Sequence, residues 1–105
     1  MSIEKARKRY IPMSETMFYI LLSLKQERHG YAIMQHVKEL TKGRTILGAG
    51  TVYSSLGKLD SDGLIEGIRE EERRKIYIIT LLGNQILHEE GDRIAELYNN
   101  FKESQ

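Results

Sequence analysis

GTVYSSLGKLDSDGLI, residues 50–65, decides the fold. On a helix, Val52, Leu56 and Leu59 fall within about 60° of one another and form one stripe that asks for burial. The opposite face holds Thr51, Ser54, Gly57, Lys58 and Ser61, with Tyr53 on the flank. A helix surface with no task usually carries Glu, Lys, Gln and Arg. Small hydroxyl side chains instead let the backbone approach a partner closely, and they can bond phosphates or base edges. The stretch also carries its own stop signal. Gly63 suits the left-handed position after the cap, and Leu64 is placed to touch Leu59 in a Schellman arrangement. A helix over about 49–62 is predicted.

Upstream, residues 1–12 read as a basic arm carrying Lys5, Arg7, Lys8 and Arg9 and ending at the only proline, Pro12. The arm could touch a polyanion or be a disordered, solvated tail. Ser14 can cap a helix and Glu15 suits its first turn. ETMFYILLSLKQE then reads as a strongly apolar helix of about 14 residues. RHG (28–30) marks a turn. A second helix is expected from Tyr31 to about Thr41, with Ile33, Met34, Val37 and Leu40 inside and Gln35, His36, Lys38 and Glu39 outside. KGRT is a loop, and ILGA is either a short strand or a lead-in.

Downstream the period changes. LIEGIR and RRKIYIIT are short and β-branched, joined by EEE (70–72), and read as a hairpin. Thr80 can cap a last helix running to about Lys102, with Gly91 in its middle at a cost of roughly 1 kcal/mol against alanine. Three helices, a hairpin and a long helix give a mostly α fold with a small β-hairpin. This is a winged helix-turn-helix (13–81) followed by a C-terminal dimerisation helix (82–105). In that plan the third helix enters a DNA major groove and the hairpin follows the neighbouring backbone. Thr51, Tyr53, Ser54 and Lys58 then face double-stranded DNA. Arg73, Arg74 and Lys75 would meet phosphate from the wing, unless they serve only to offset Glu70, Glu71 and Glu72.

Ile94, Leu97, Tyr98 and Phe101 recur at i, i+3, i+4 and i+7. A helix after a wing has little of its own domain left to pack against, so a second copy is the expected partner. Folding back on the first helix of its own chain is the other option. Charge divides similarly. Residues 1–75 carry 14 of the 16 Lys and Arg and 10 of the 15 Asp and Glu, whereas residues 76–105 carry 2 and 5. A basic body with an acidic end suits a polyanionic partner for the body.

Enzyme chemistry is not expected. The three histidines form no ligand-spaced cluster, and no nucleophile motif or phosphate loop is present. No metal or cofactor is expected. There is no cysteine, which suits a reducing cytoplasm. No apolar run approaches the roughly 18 residues of a membrane span. MSIEKARKRYIP lacks an apolar segment behind its charges, so no signal peptide is expected.

FYILLSL (18–24), HGYAIMQHV (29–37), GTVYSSLGKLDSDGLI (50–65) and RRKIYIITLLG (73–83) together resemble the PadR-like transcriptional regulators, in the compact branch with one terminal helix. The resemblance implies a bacterial, homodimeric winged-helix repressor on an inverted-repeat operator. It also implies release by a small, often aromatic, effector. By position, Thr51, Tyr53, Ser54 and Lys58 match the recognition helix, and Arg74 and Lys75 match the wing. The Glu-rich wing tip and the absence of Trp depart from many members. A winged-helix protein-interaction module without DNA binding is the alternative expectation.

Overall fold

The computed structural model describes residues Met1–Gln105. The elements are α1 (Ile3–Tyr10), α2 (Glu15–Ser23), α3 (Gly30–Leu40), α4 (Ala49–Ser61), β1 (Ile65–Glu71), β2 (Arg74–Ile79) and α5 (Leu81–Glu103). The order is that of a winged helix with a long terminal helix, as the sequence predicts. One core gathers Ile20 and Leu21 from α2 and Leu24 just beyond it, Ile33 and Val37 from α3, Val52, Leu56 and Leu59 from α4, and Ile86 and Leu87 from α5. No helix is long and apolar enough to cross a membrane.

The helix ends follow the expected chemistry. Ser14 Oγ accepts the Met17 N–H and Thr80 Oγ1 accepts the Gly83 N–H, each satisfying a first-turn amide. Gly63 sits at φ +81°, and the Leu64 N–H donates to the Leu59 carbonyl at 2.9 Å. Leu59 and Leu64 are both fully buried, which completes the Schellman exit from α4.

Three segments differ from the sequence reading, and one open choice is decided. Residues 3–10 are helical rather than a loose arm. Ser2 caps α1, Ala6 and Tyr10 are buried, and Arg7 Nε meets Glu89 Oε1 on α5 at 2.8 Å. Tertiary burial makes this helix, not its apolar content. α2 stops at Ser23 because the chain beyond it is taken up by the wing. The Ile79 N–H donates to the Leu24 carbonyl, and Arg28 and Tyr77 exchange backbone hydrogen bonds at 3.0 and 3.2 Å. ILGA is the lead-in rather than the strand, with Ala49 opening α4. Leu47 is buried and Gly48 caps that helix. Finally, the hairpin turn is Glu72–Arg73, both at positive φ (50° and 65°), so Glu70 and Glu71 lie inside β1. Two left-handed residues match the twist of a two-residue hairpin, a conformation usually given to Asn or Gly. Ile68 is the extra residue of a bulge, since Gly67 opposes Tyr77 and Arg69 opposes Ile76.

Glu90 is fully buried on α5. Its carboxylate accepts the Met13 N–H at 2.7 Å and two bonds from Arg93 at 2.6 and 2.8 Å, tying α5 to the chain entering α2. The Arg93 hydrogen bonds, with help from the Met13 amide, hold its acid form below the usual carboxylate range against the opposing effect of burial. Glu90→Ala should cost about 2–3 kcal/mol, the lower end for a broken buried pair because Arg93 keeps some contact with water. Glu90→Gln, which keeps an acceptor for Met13, should cost less. Since the folded state favours the ionised form, wild type should have this contribution in full above the ordinary carboxylate range. It should lose it as the pH falls below that range, while Glu90→Gln should show a flatter acid limb in thermal melts.

Candidate nucleic-acid interface

α4 presents the face that its sequence implies. Val52, Leu56 and Leu59 are buried, while Thr51, Tyr53, Ser54, Gly57, Lys58 and Ser61 are exposed. Thr51 and Ser54 hydroxyls make no hydrogen bond within the chain, and Gly50 and Gly57 face open space. Gly48 begins the helix without a side-chain cap, so the first-turn amides are also uncommitted. The result is a slim face of free donors and acceptors.

Lys58 does not stand free. Its ammonium lies 5.4 Å from the Tyr10 ring centroid, beside Asp62. Asp62, at the end of α4, accepts the Tyr10 hydroxyl at 2.5 Å and Arg9 Nη1 at 2.9 Å. Burial and then the Asp62 bond push the Tyr10 phenol well above its ordinary range, while the Tyr10 bond pulls Asp62 down. α1 thus joins α5 through Arg7 to the end of α4 through Arg9 and Tyr10.

The three wing cations have three different settings. Arg73 sits in the turn, exposed and without an ion pair. Arg74 lies over the Tyr31 ring, its guanidinium carbon 5.5 Å from the centroid, and Nη1 comes within 3.4 Å of His29 Nε2. Lys75 is partly engaged. Its stem crosses Gly67, where a Cβ would come within 2.3 Å, and its Nζ lies 3.8 Å from Asp60 on α4. Of the wing acids Glu71 is absorbed, bonded at 2.9 Å by Arg69, which also bonds Glu27 before α3 at 2.6 Å.

From sequence, residues 28–30 read only as a break. In the structure His29 caps α3, its Nδ1 accepting the Ala32 N–H at 3.0 Å. Gly30 is needed because the Tyr53 ring crosses it, and a Cβ there would lie 2.7 Å from the ring. His29, Tyr31, Tyr53 and Arg74 are thereby brought together from α3, α4 and the wing. The signal available was a capping-competent residue followed by Gly at the start of a periodic helix.

His36 also departs from the reading as an outward residue. Its Nδ1 lies 2.8 Å from the buried Ser23 Oγ, and burial lowers the pKa of its ring from the ordinary histidine value. No group of three or more His, Cys, Asp or Glu is placed to hold a metal. Ile94, Leu97, Tyr98 and Phe101 are 41–60% exposed on the distal half of α5, while the proximal half packs on α1 and α2.

The family model described as the Transcriptional regulator PadR-like family matches residues 19–89. The chain is 32% identical over 98 residues to the Transcriptional regulator YqjI of Escherichia coli, covering 91% of this chain and 47% of that protein. The chain thus spans less than half of this curated relative. Among solved structures, a PadR family transcription regulator from Clostridium difficile is similar at TM-score 0.68 and 28% identity, over 84% of this chain and 98% of the other. A transcriptional regulator from Clostridium thermocellum shares the fold at TM-score 0.73 and 21% identity, over 98% and 96%. From residue 19 to residue 89 the match takes in the helix-turn-helix, the wing and the start of α5, and on that evidence the chain belongs to the PadR-like family of transcriptional regulators, which are not enzymes.

Proposed function

We propose that this chain binds double-stranded DNA sequence-specifically as a homodimer and acts as a repressor at an inverted-repeat operator in the cytoplasm. The outer face of α4 carries this reading: exposed, built from Thr, Ser and Gly, and with its hydroxyls unused by the fold. Thr51 and Ser54 read base edges, and Tyr53, Lys58, Arg73 and Arg74 take phosphates. Lys75, held near Asp60, serves more to set the wing than to touch DNA. The relative named as a transcriptional regulator is consistent with this role. In the dimer the two recognition helices lie about 34 Å apart, one duplex turn. A small aromatic effector would enter beside the dimer face, where Phe18, Leu22 and Leu87 line a groove of about 180 Å³ between α2 and α5.

Selection of bound sequences from random duplexes, followed by gel shifts, tests the reading. An inverted repeat should emerge, with affinity falling steeply as salt rises. Lys58→Ala should weaken every selected sequence about equally and lower the salt slope by about one per subunit. Recovery of no consensus, with binding equal to that of random DNA at low salt, would sink it. Glu70 and Glu72 remain unpaired on the wing, which favours the alternative of a protein-interaction module in that event.

A further inference from the structure

His29 and Arg74 meet at the surface as two hydrogen-bond donors. The Nδ1 of His29 accepts the Ala32 amide, so it holds a lone pair and the neutral ring carries its proton on Nε2. That nitrogen faces Arg74 Nη1 at 3.4 Å. Arginine offers only donors. Two solvent-exposed N–H groups from different elements therefore lie side by side, neither with an acceptor in the chain.

No carboxylate of the chain serves either donor. Glu71 opposes Arg74 across the hairpin, yet it bonds Arg69, which also holds Glu27. Arg74 forms no ion pair. Instead Tyr31 supports the guanidinium from one side, and the Tyr53 ring packs on Gly30 next to His29. The support orients the guanidinium edge, which suits the recognition of a planar or tetrahedral oxyanion.

We propose that His29 Nε2 and the Arg74 guanidinium close together on a single phosphodiester of the DNA backbone, forming one clamp that spans the helix-turn-helix and the wing. The clamp rests on the DNA-binding reading and deepens it. Arg74 binds phosphate not as a free wing cation but as half of a pair, and the pair fixes the wing relative to α3 when DNA is bound. An oxyanion of any source shares this chemistry. The backbone phosphate is the one within reach when α4 and the wing engage a duplex.

Single-position methylphosphonate substitution along the selected duplex tests it, because each substitution removes one phosphate charge. Wild type should lose about tenfold in affinity at one phosphate per half-site. His29→Asn keeps an acceptor for the Ala32 amide but removes the Nε2 donor. It should melt like wild type, bind unmodified duplex several-fold more weakly, and show little further loss at that same phosphate. Arg74→Gln should erase the loss at the same position. Penalties left unchanged in His29→Asn, or mapped for the two variants to different phosphates, would overturn the clamp while leaving DNA binding intact. Inorganic phosphate alone shifting the His29 ring ¹⁵N signals as fully as duplex does would point to a small-anion site and overturn it too. Failure of wild type to prefer any duplex would remove both readings together.

Discussion

Gly83→Ala should lower the thermal midpoint by on the order of 15 °C at fixed protein concentration. A Cβ at this buried position would lie 2.0 Å from the Leu64 carbonyl oxygen, 2.9 Å from its carbon and 2.9 Å from Ile79 Cγ1. The obstacle is backbone, which cannot swing aside as a flexible side chain can. It is also backbone in use. The Leu64 carbonyl accepts the Thr80 N–H at 3.0 Å, Thr80 Oγ1 donates to the Gly63 carbonyl at 2.7 Å, and the same hydroxyl caps Gly83 at 3.1 Å. Moving α5 away to admit one methyl would break this joint between the exit of α4, the end of β2 and the start of α5. Overpacking and the lost cap together come to about 3 kcal/mol. Gly57→Ala is the control. It lies within α4 facing open space, so it should stabilise by up to about 1 kcal/mol. A Gly83→Ala protein that melts like wild type would show that the joint relaxes freely.

Leu97→Glu should convert the proposed dimer to monomer at micromolar concentration and reduce operator affinity by about two orders of magnitude. Ile94, Leu97, Tyr98 and Phe101 form an apolar stripe with 41, 54, 57 and 60% of their surface open to solvent. In a two-fold contact the same stripe meets itself, so each glutamate is introduced twice. Both carboxylates would have to lose water and face an apolar surface. Without the dimer, two half-sites are no longer engaged from one linked body, and the gain from effective concentration is lost. Sedimentation and gel shifts on the same sample check the two halves of the expectation. An unchanged dimer would place the subunit contact elsewhere on the chain.

The sequence was most readable where local chemistry alone decides. Val52, Leu56 and Leu59 give the stripe of α4, Gly63 and Leu64 give its end, and Thr80 gives the start of α5. It was least readable where distant parts decide. Residues 3–10 carry helix formers behind a Ser2 cap, but whether so short a segment orders is decided by Glu89 and Asp62, which hold α1 from elsewhere in the chain. α2 looked longer because Leu24 to Glu27 are helix-compatible, yet the wing recruits the backbone of Leu24 and Arg28 at either end of that stretch. The hairpin tip was misplaced because Glu72 and Arg73 adopt left-handed conformations with no Gly or Asn to signal them. The interface followed the same division. The face of α4 was legible from its own residues. The gathering of His29, Tyr31 and Arg74 was not, since 45 positions separate His29 from Arg74 and only the folded wing closes that gap.

The short helix α1 has one further consequence. Arg7 grips α5, and Arg9 with Tyr10 grips the last turn of α4, so the element proposed to join two copies is braced against the element proposed to read DNA. In the dimer such a brace acts as a ruler. The gap between the two reading heads is then set by the polypeptide, and an operator with one base pair more or fewer at its centre must twist to fit rather than wait for the protein to stretch.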